Sequence, residues 1–128
     1  ARLRDAHGRV VLWEGHTIRG ECPWLFEGRL PDLNLGTAAG ASCSAALQQR
    51  LEAVLGAQSG YDWVSNGRFK GGYITRQYGR PDAGVEAVQL ETSQRTYMDE
   101  DSFAWDAARA ARLQPLLKQL LEAALAGS

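Results

Sequence analysis

Short runs of apolar, β-branched and aromatic residues alternate along this chain with stretches whose leucines recur every third and fourth position. That alternation of two periods restricts the fold to the α/β class. The first run, Arg9-Val10-Val11-Leu12-Trp13-Glu14, suits a strand buried in a parallel or mixed sheet, and Gly15-His16-Thr17 closes it. Residues 32–37, 61–65 and 85–91 supply three more short runs of strand character. Between them Ser44 is placed to cap a helix from Ala45 to Leu55, with Leu47, Leu51, Val54 and Leu55 on one face. From Ser102 onward Leu113, Leu116, Leu117, Leu120, Leu121, Ala124 and Leu125 form a second apolar stripe, and Pro115 is expected to kink or restart that helix. The expected architecture is a mixed β-sheet flanked by helices, with residues 1–128 as a single domain.

The remaining segments are punctuation. Ala1 to Ala6 have helix-forming composition, and His7-Gly8 supplies a helix end with glycine at C′. A chain that starts inside a helix is expected to be the C-terminal half of a larger catalytic domain. Residues 18–31, with two prolines and two glycines, suit a long loop, as do residues 68–79, where glycines, basic residues and aromatics mix.

Composition narrows the function. The 128 residues are 45% hydrophobic and 23% charged, enough for a real core, and the net charge of −1 lacks the basic stripe that phosphate backbones or anionic lipids require. Nucleic acid and membranes are therefore not expected partners; a small molecule is. No apolar run would span a bilayer and no secretion signal opens the chain, which points to the cytoplasm. Cys22 and Cys43 are expected to be free thiols, since a chain with this much core has little need of a bridge.

Three groups of residues could carry chemistry. His16, at a strand end, suits a zinc ligand, although position alone favours a structural histidine hydrogen-bonded in a loop. Glu91, toward the end of the last strand, suits a general base that takes a proton from an attacking water and passes it to a leaving nitrogen; a salt-bridged structural carboxylate is the alternative. Arg68, Lys70 and Arg76 could bind an acidic small molecule, and Arg76 is the preferred clamp because a guanidinium matches a carboxylate with two hydrogen bonds. A solvated loop accounts for Arg68 and Lys70 equally well. No nucleophile elbow, phosphate-binding glycine loop or Ser/His/Asp set can be assembled.

Longer motifs say more than these single residues. Val11-Leu12-Trp13-Glu14-Gly15-His16-Thr17-Ile18-Arg19, the stretch from Leu25 to Thr37, Asn66-Gly67-Arg68-Phe69-Lys70-Gly71-Gly72-Tyr73-Ile74-Thr75-Arg76, and Gln89-Leu90-Glu91 through Thr96-Tyr97-Met98-Asp99-Glu100 resemble, in the same order, the N-formylglutamate amidohydrolase (N-formylglutamate deformylase) family. The resemblance covers nearly the whole chain. It implies a fold akin to the zinc carboxypeptidases and aspartoacylase, and hydrolysis of N-formyl-L-glutamate to formate and L-glutamate within histidine degradation. By the same resemblance His16 is the metal ligand, Glu91 the catalytic base and acid, and Arg76 a substrate clamp, with Arg19, Asn34, Asn66 and Gln77 as further substrate-site candidates.

Two positions depart from the family pattern. Gln77 stands where a histidine is expected, and Glu14-Gly15-His16-Thr17 replaces Asp-Ala-His-Ser. The resemblance also implies that the remaining zinc ligands come from an N-terminal half, so this chain alone is expected to be inactive and, with an open sheet edge, to self-associate. Two alternatives are a non-catalytic domain that binds acidic amino acids and a related N-acyl amino acid deacylase.

Overall fold

A computed structural model describes residues 2–126. Ala1 of the first helical segment lies outside the described residues. Helix α1 (Arg2–His7) ends on Gly8, whose φ of +73° is the left-handed turn that a glycine adopts without strain. Strand β1 (Val10–Ile18) follows, then a long loop, β2 (Leu33–Gly36), α2 (Ala45–Gly56), β3 (Trp63–Ser65), α3 (Tyr73–Tyr78), β4 (Val85–Ser93) and α4 (Ala107–Leu125).

The four strands form one mixed sheet in the order β1-β4-β2-β3. β1 and β4 run parallel and pair along their whole length, from Val10 beside Val85 to Ile18 beside Ser93. β2 is antiparallel to β4 and parallel to β3. The mixed sheet and its helices match the α/β expectation; the boundaries differ in instructive ways. β1 does not stop at Gly15, because pairing with β4 continues past it, so His16 lies inside a strand and not in a loop. β4 likewise extends past Glu91 to Ser93.

Alternation gives the sheet two unlike faces. On one, Leu33, Leu35, Val88 and Leu90 pack against Leu47, Leu51 and Leu55 of α2 and Leu113, Leu116, Leu120 and Ala124 of α4, with Val11, Trp13 and Trp63 at the margins. The three α2 leucines and Leu120 are fully buried, each contributing about 2 kcal/mol of hydrophobic stabilisation. Ser44 caps α2 by accepting from Leu47 N, and Glu86, the first side chain of this face on β4, accepts from Ser44 N and Oγ and from Arg9. Asp106 caps α4, so that helix begins five residues later than Ser102, after a turn held by Asp99. Pro115 does not restart it: one helix runs from Ala107 through Leu125 with Pro115 inside. The proline removes one hydrogen bond, from an exposed Ala111 carbonyl position, while Leu113, Leu116 and Leu120 on either side stay buried; Leu121 and Leu125, expected in the stripe, lie instead on the exposed side of the helix.

The other face is polar, and a short helix that the local sequence does not suggest covers part of it. Residues 68–79, expected as loop throughout, contain α3. Cys22 and Cys43 are both buried free thiols, and burial pushes Cys43 up to about 11. Among the described residues no helix is long and apolar enough to cross a membrane.

Candidate active site

The polar face is built from two adjacent rows of the sheet. In one row His16 of β1 stands beside Glu91 of β4, which stands beside Asn34 of β2. In the next, Glu14 lies beside Gln89, which lies beside Gly36. Neighbouring strands present register partners on the same side, so these side chains share one face, opposite the leucine core.

The second row is covered. Gly36 has no side chain, and the backbone of Lys70 and Gly71 lies directly on it, with Ala38 N donating to Lys70 O at 2.6 Å. Gln89 Oε1 accepts from Gly72 N at 2.7 Å, and Glu14 Oε2 accepts from Thr75 N at 2.9 Å and from Thr75 Oγ1 at 2.5 Å. These contacts seat α3, a helix too short to stand without tertiary support. Glu14 is buried, which pushes its carboxyl up, yet hydrogen bonds from the Thr75 hydroxyl, His16 and Thr75 N outweigh burial and hold it below its ordinary value. Its other oxygen lies 3.1 Å from His16 Nε2.

The first row is left open on one side. His16 is half exposed, whereas Glu91 is buried and its carboxylate accepts no hydrogen bond from the described residues. Burial pushes the Glu91 carboxyl up, and the neighbouring His16 imidazole draws it only part of the way back. Asn34, almost fully buried, donates Nδ2 to the Pro31 carbonyl at 2.9 Å and to the Glu91 carbonyl at 3.1 Å, which fixes the backbone that carries Glu91. The site thus offers an imidazole, a buried carboxylate whose pKa burial raises, and a floor tied down by Asn34.

The other anticipated residues fall outside this pair of rows. Arg76 and Gln77 are exposed on α3, with Arg76 Nη1 donating to Gly71 O at 2.6 Å. Arg19 is engaged elsewhere: Nη1 donates to Glu100 O at 2.6 Å and Nη2 pairs with Asp101 at 2.5 Å, pinning the turn after β4. Asn66, at a positive φ of 52°, receives Thr37 N and Ala39 N on Oδ1 and donates to Thr37 Oγ1. Its visible work is to hold the 37–39 loop. Arg68 donates to Leu25 O. Glu14, Gln89 and Thr75 were not singled out from the sequence, although Glu14 and Gln89 each lie two residues before a candidate and so on the same strand face.

A cavity of about 490 Å³ is lined by Arg29, Asp32, Arg95, Arg109 and Arg112 among others, and shares none of these site residues. Asp32 already pairs with Arg95 at 2.7 Å and Arg29 at 3.4 Å, so much of its charge is neutralised in place. The polar rows carry the better chemistry. Whether they suit a metal follows from their donors: His16 has one ring nitrogen engaged by Glu14 and no partner for the other among the described residues. Yet no three His, Cys, Asp or Glu side chains among the described residues converge to hold an ion. The described residues therefore offer one imidazole that could hold a metal, beside a buried carboxylate, and not a whole donor set.

Comparison with known proteins agrees with the residue pattern. Residues 1–98 match the N-formylglutamate amidohydrolase family. The chain is 56% identical over 98% of its length to an N-formylglutamate deformylase of Pseudomonas aeruginosa, covering 48% of that protein, and 52% identical over 98% of its length to one of Pseudomonas putida, covering 47%. It spans about half the length of the curated relatives it matches. In architecture it is similar to a crystal structure of N-formylglutamate amidohydrolase from Ralstonia eutropha JMP134, with a TM-score of 0.78 and 24% identity over 94% of this chain and 44% of that one. The chain belongs to the N-formylglutamate amidohydrolase family.

Proposed function

We propose that the protein hydrolyses N-formyl-L-glutamate to formate and L-glutamate as a zinc-dependent amidohydrolase, a step in histidine degradation, on a fold of the zinc-carboxypeptidase kind. The observation that carries this reading is the placement of His16 and Glu91 as register partners on the open row of the polar face. His16 is the ligand this chain contributes, and the other ligands belong to a segment beyond it. Zinc, when bound, supplies a Lewis acid that polarises the formyl carbonyl and makes a water easier to deprotonate.

The chain's own residues then have defined tasks. Glu91 takes a proton from the attacking water as the new C–O bond forms, and returns it to the amide nitrogen as the C–N bond breaks, releasing formate and the amine of glutamate. Its upward-shifted carboxyl suits both halves of that transfer, because a group that titrates closer to neutrality gives up its proton as readily as it takes one. Asn34 holds the Glu91 backbone in place. Arg76, one residue beyond the Thr75 that docks on Glu14, is the clamp for a substrate carboxylate.

The test uses the full-length protein and follows formate release from N-formylglutamate. Glu91→Gln is expected to lower kcat by about 10²–10⁴-fold while leaving zinc content unchanged. Chelation is expected to stop turnover, and zinc to restore it. Turnover indifferent to the chelator, or Glu91→Gln at the wild-type rate, would overturn the proposal. A second reading, a domain that binds acidic amino acids without hydrolysing them, draws support from the single ligand wall and from Gln77. Glutamate binding by calorimetry with no formate release would favour it, and a panel of N-acyl amino acids separates the deformylase from related deacylases.

A further inference from the structure

Glu14 is a carboxylate with three donors and no water-facing role. Its side chain is only 8% exposed, Thr75 N and Oγ1 converge on Oε2, and His16 Nε2 lies 3.1 Å from Oε1. An ionised carboxylate can only accept, so the hydrogen bond to His16 requires the proton to be on Nε2. The neutral ring that makes this bond keeps its lone pair on Nδ1, the nitrogen with no partner among the described residues. Spacing makes the arrangement possible: residues two apart on one strand face are separated by about 6.6 Å, a gap a glutamate side chain can bridge lengthwise.

We infer that Glu14 is a positioning residue for His16: it fixes the Nε2–H tautomer, presents Nδ1 as the ligating nitrogen, and ties that imidazole through Thr75 to the start of α3. The inference rests on the proposal that His16 is a metal ligand. Its consequence is a mechanical link between the metal wall and the segment bearing Arg76, with one buried carboxylate as the shared anchor. Outer-sphere carboxylates that orient a ligating histidine commonly change metal affinity by about 10–100-fold when removed.

Glu14→Gln keeps the shape and supplies only one acceptor end. If its amide oxygen stays with Thr75, its amine faces His16, so the imidazole must accept at Nε2 and carry its proton on Nδ1. The test is made on the full-length protein. Imidazole ¹⁵N chemical shifts of the zinc-free wild type are expected to show His16 as Nε2–H, and those of Glu14→Gln to move toward Nδ1–H. Zinc affinity, measured by competition with a chromogenic chelator, is expected to fall about 10–100-fold in the variant. A wild-type His16 in the Nδ1–H form overturns the inference without any variant, so it can fail even if Glu14→Gln does not fold. A folded Glu14→Gln with the wild-type tautomer overturns it whatever its affinity. His16→Gln separates the two claims: unchanged zinc affinity there removes His16 as a ligand, whereas lost affinity there with none lost in Glu14→Gln removes only the positioning role.

Discussion

Gly36→Ala probes the way the site's second row is covered. A Cβ at Gly36 would lie 2.7 Å from Gly71 N and Lys70 C and 3.0 Å from Lys70 O, all backbone atoms that cannot rotate away. Ordinary contact begins near 3.4 Å, so the 70–71 segment must lift by about 0.7 Å. Overpacking of that kind costs about 1–3 kcal/mol, and lifting the segment weakens the bonds from Ala38 N to Lys70 O and from Gly72 N to Gln89 Oε1, each of about 1 kcal/mol. The expected loss is about 2–4 kcal/mol, which for a domain of this size lowers Tm by on the order of 10 °C. Gly15 supplies the control, since a Cβ there meets nothing closer than Trp13 Nε1 at 4.0 Å, and Gly15→Ala is expected to stay within about 0.5 kcal/mol of wild type. Urea and thermal unfolding of both variants, followed by circular dichroism, decide the matter. A Gly36→Ala protein as stable as Gly15→Ala would refute the claim that the loop rests on the bare glycine.

Two further predictions concern the opposite face and the sheet edge. Glu86 is buried, which raises its carboxyl, but Ser44 and Arg9 outweigh burial and hold it below its ordinary value; its stabilisation is therefore fully present above the unfolded glutamate value and disappears as pH falls through the folded one. Glu86→Gln is expected to cost about 1.5–3 kcal/mol near pH 7 and progressively less toward about pH 3 in urea titrations, and a pH-independent difference would contradict this assignment. β1 is an outer strand of nine residues, so the chain expressed by itself is expected to associate as concentration rises in sedimentation velocity, and a monomer at all concentrations would count against it.

What could be seen in the sequence was what depends on local pattern. The buried leucines of α2, Leu113, Leu116 and Leu120 of α4, the Ser44 cap and the glycine after α1 follow from spacing and from the chemistry of helix ends, whereas Leu121 and Leu125, expected on the same stripe, are exposed. Strand limits depend on partners: Gly15 looked like a stop, yet nine consecutive pairs with β4 carry β1 to Ile18. α3 was hidden because nothing in Gly71-Gly72-Tyr73-Ile74 favours a helix until Glu14 and Gln89, far away in sequence, receive its first turn. The same long-range contact concealed the importance of Glu14, although its position two residues before His16 placed it on the right face. Arg19 and Asn66, substrate-site candidates by membership of a motif, have their hydrogen-bonding groups committed to neighbouring loops, which the local sequence does not reveal.

The central claim is that the His16 imidazole and the Glu91 carboxylate flank one zinc ion in unlike roles. Anomalous diffraction at the zinc edge from crystals of the full-length protein tests it most directly. The account predicts a single strong peak about 2.0–2.1 Å from His16 Nδ1, with the Glu91 carboxylate near but outside bonding distance. A peak bonded to Glu91, or one remote from His16, would contradict it.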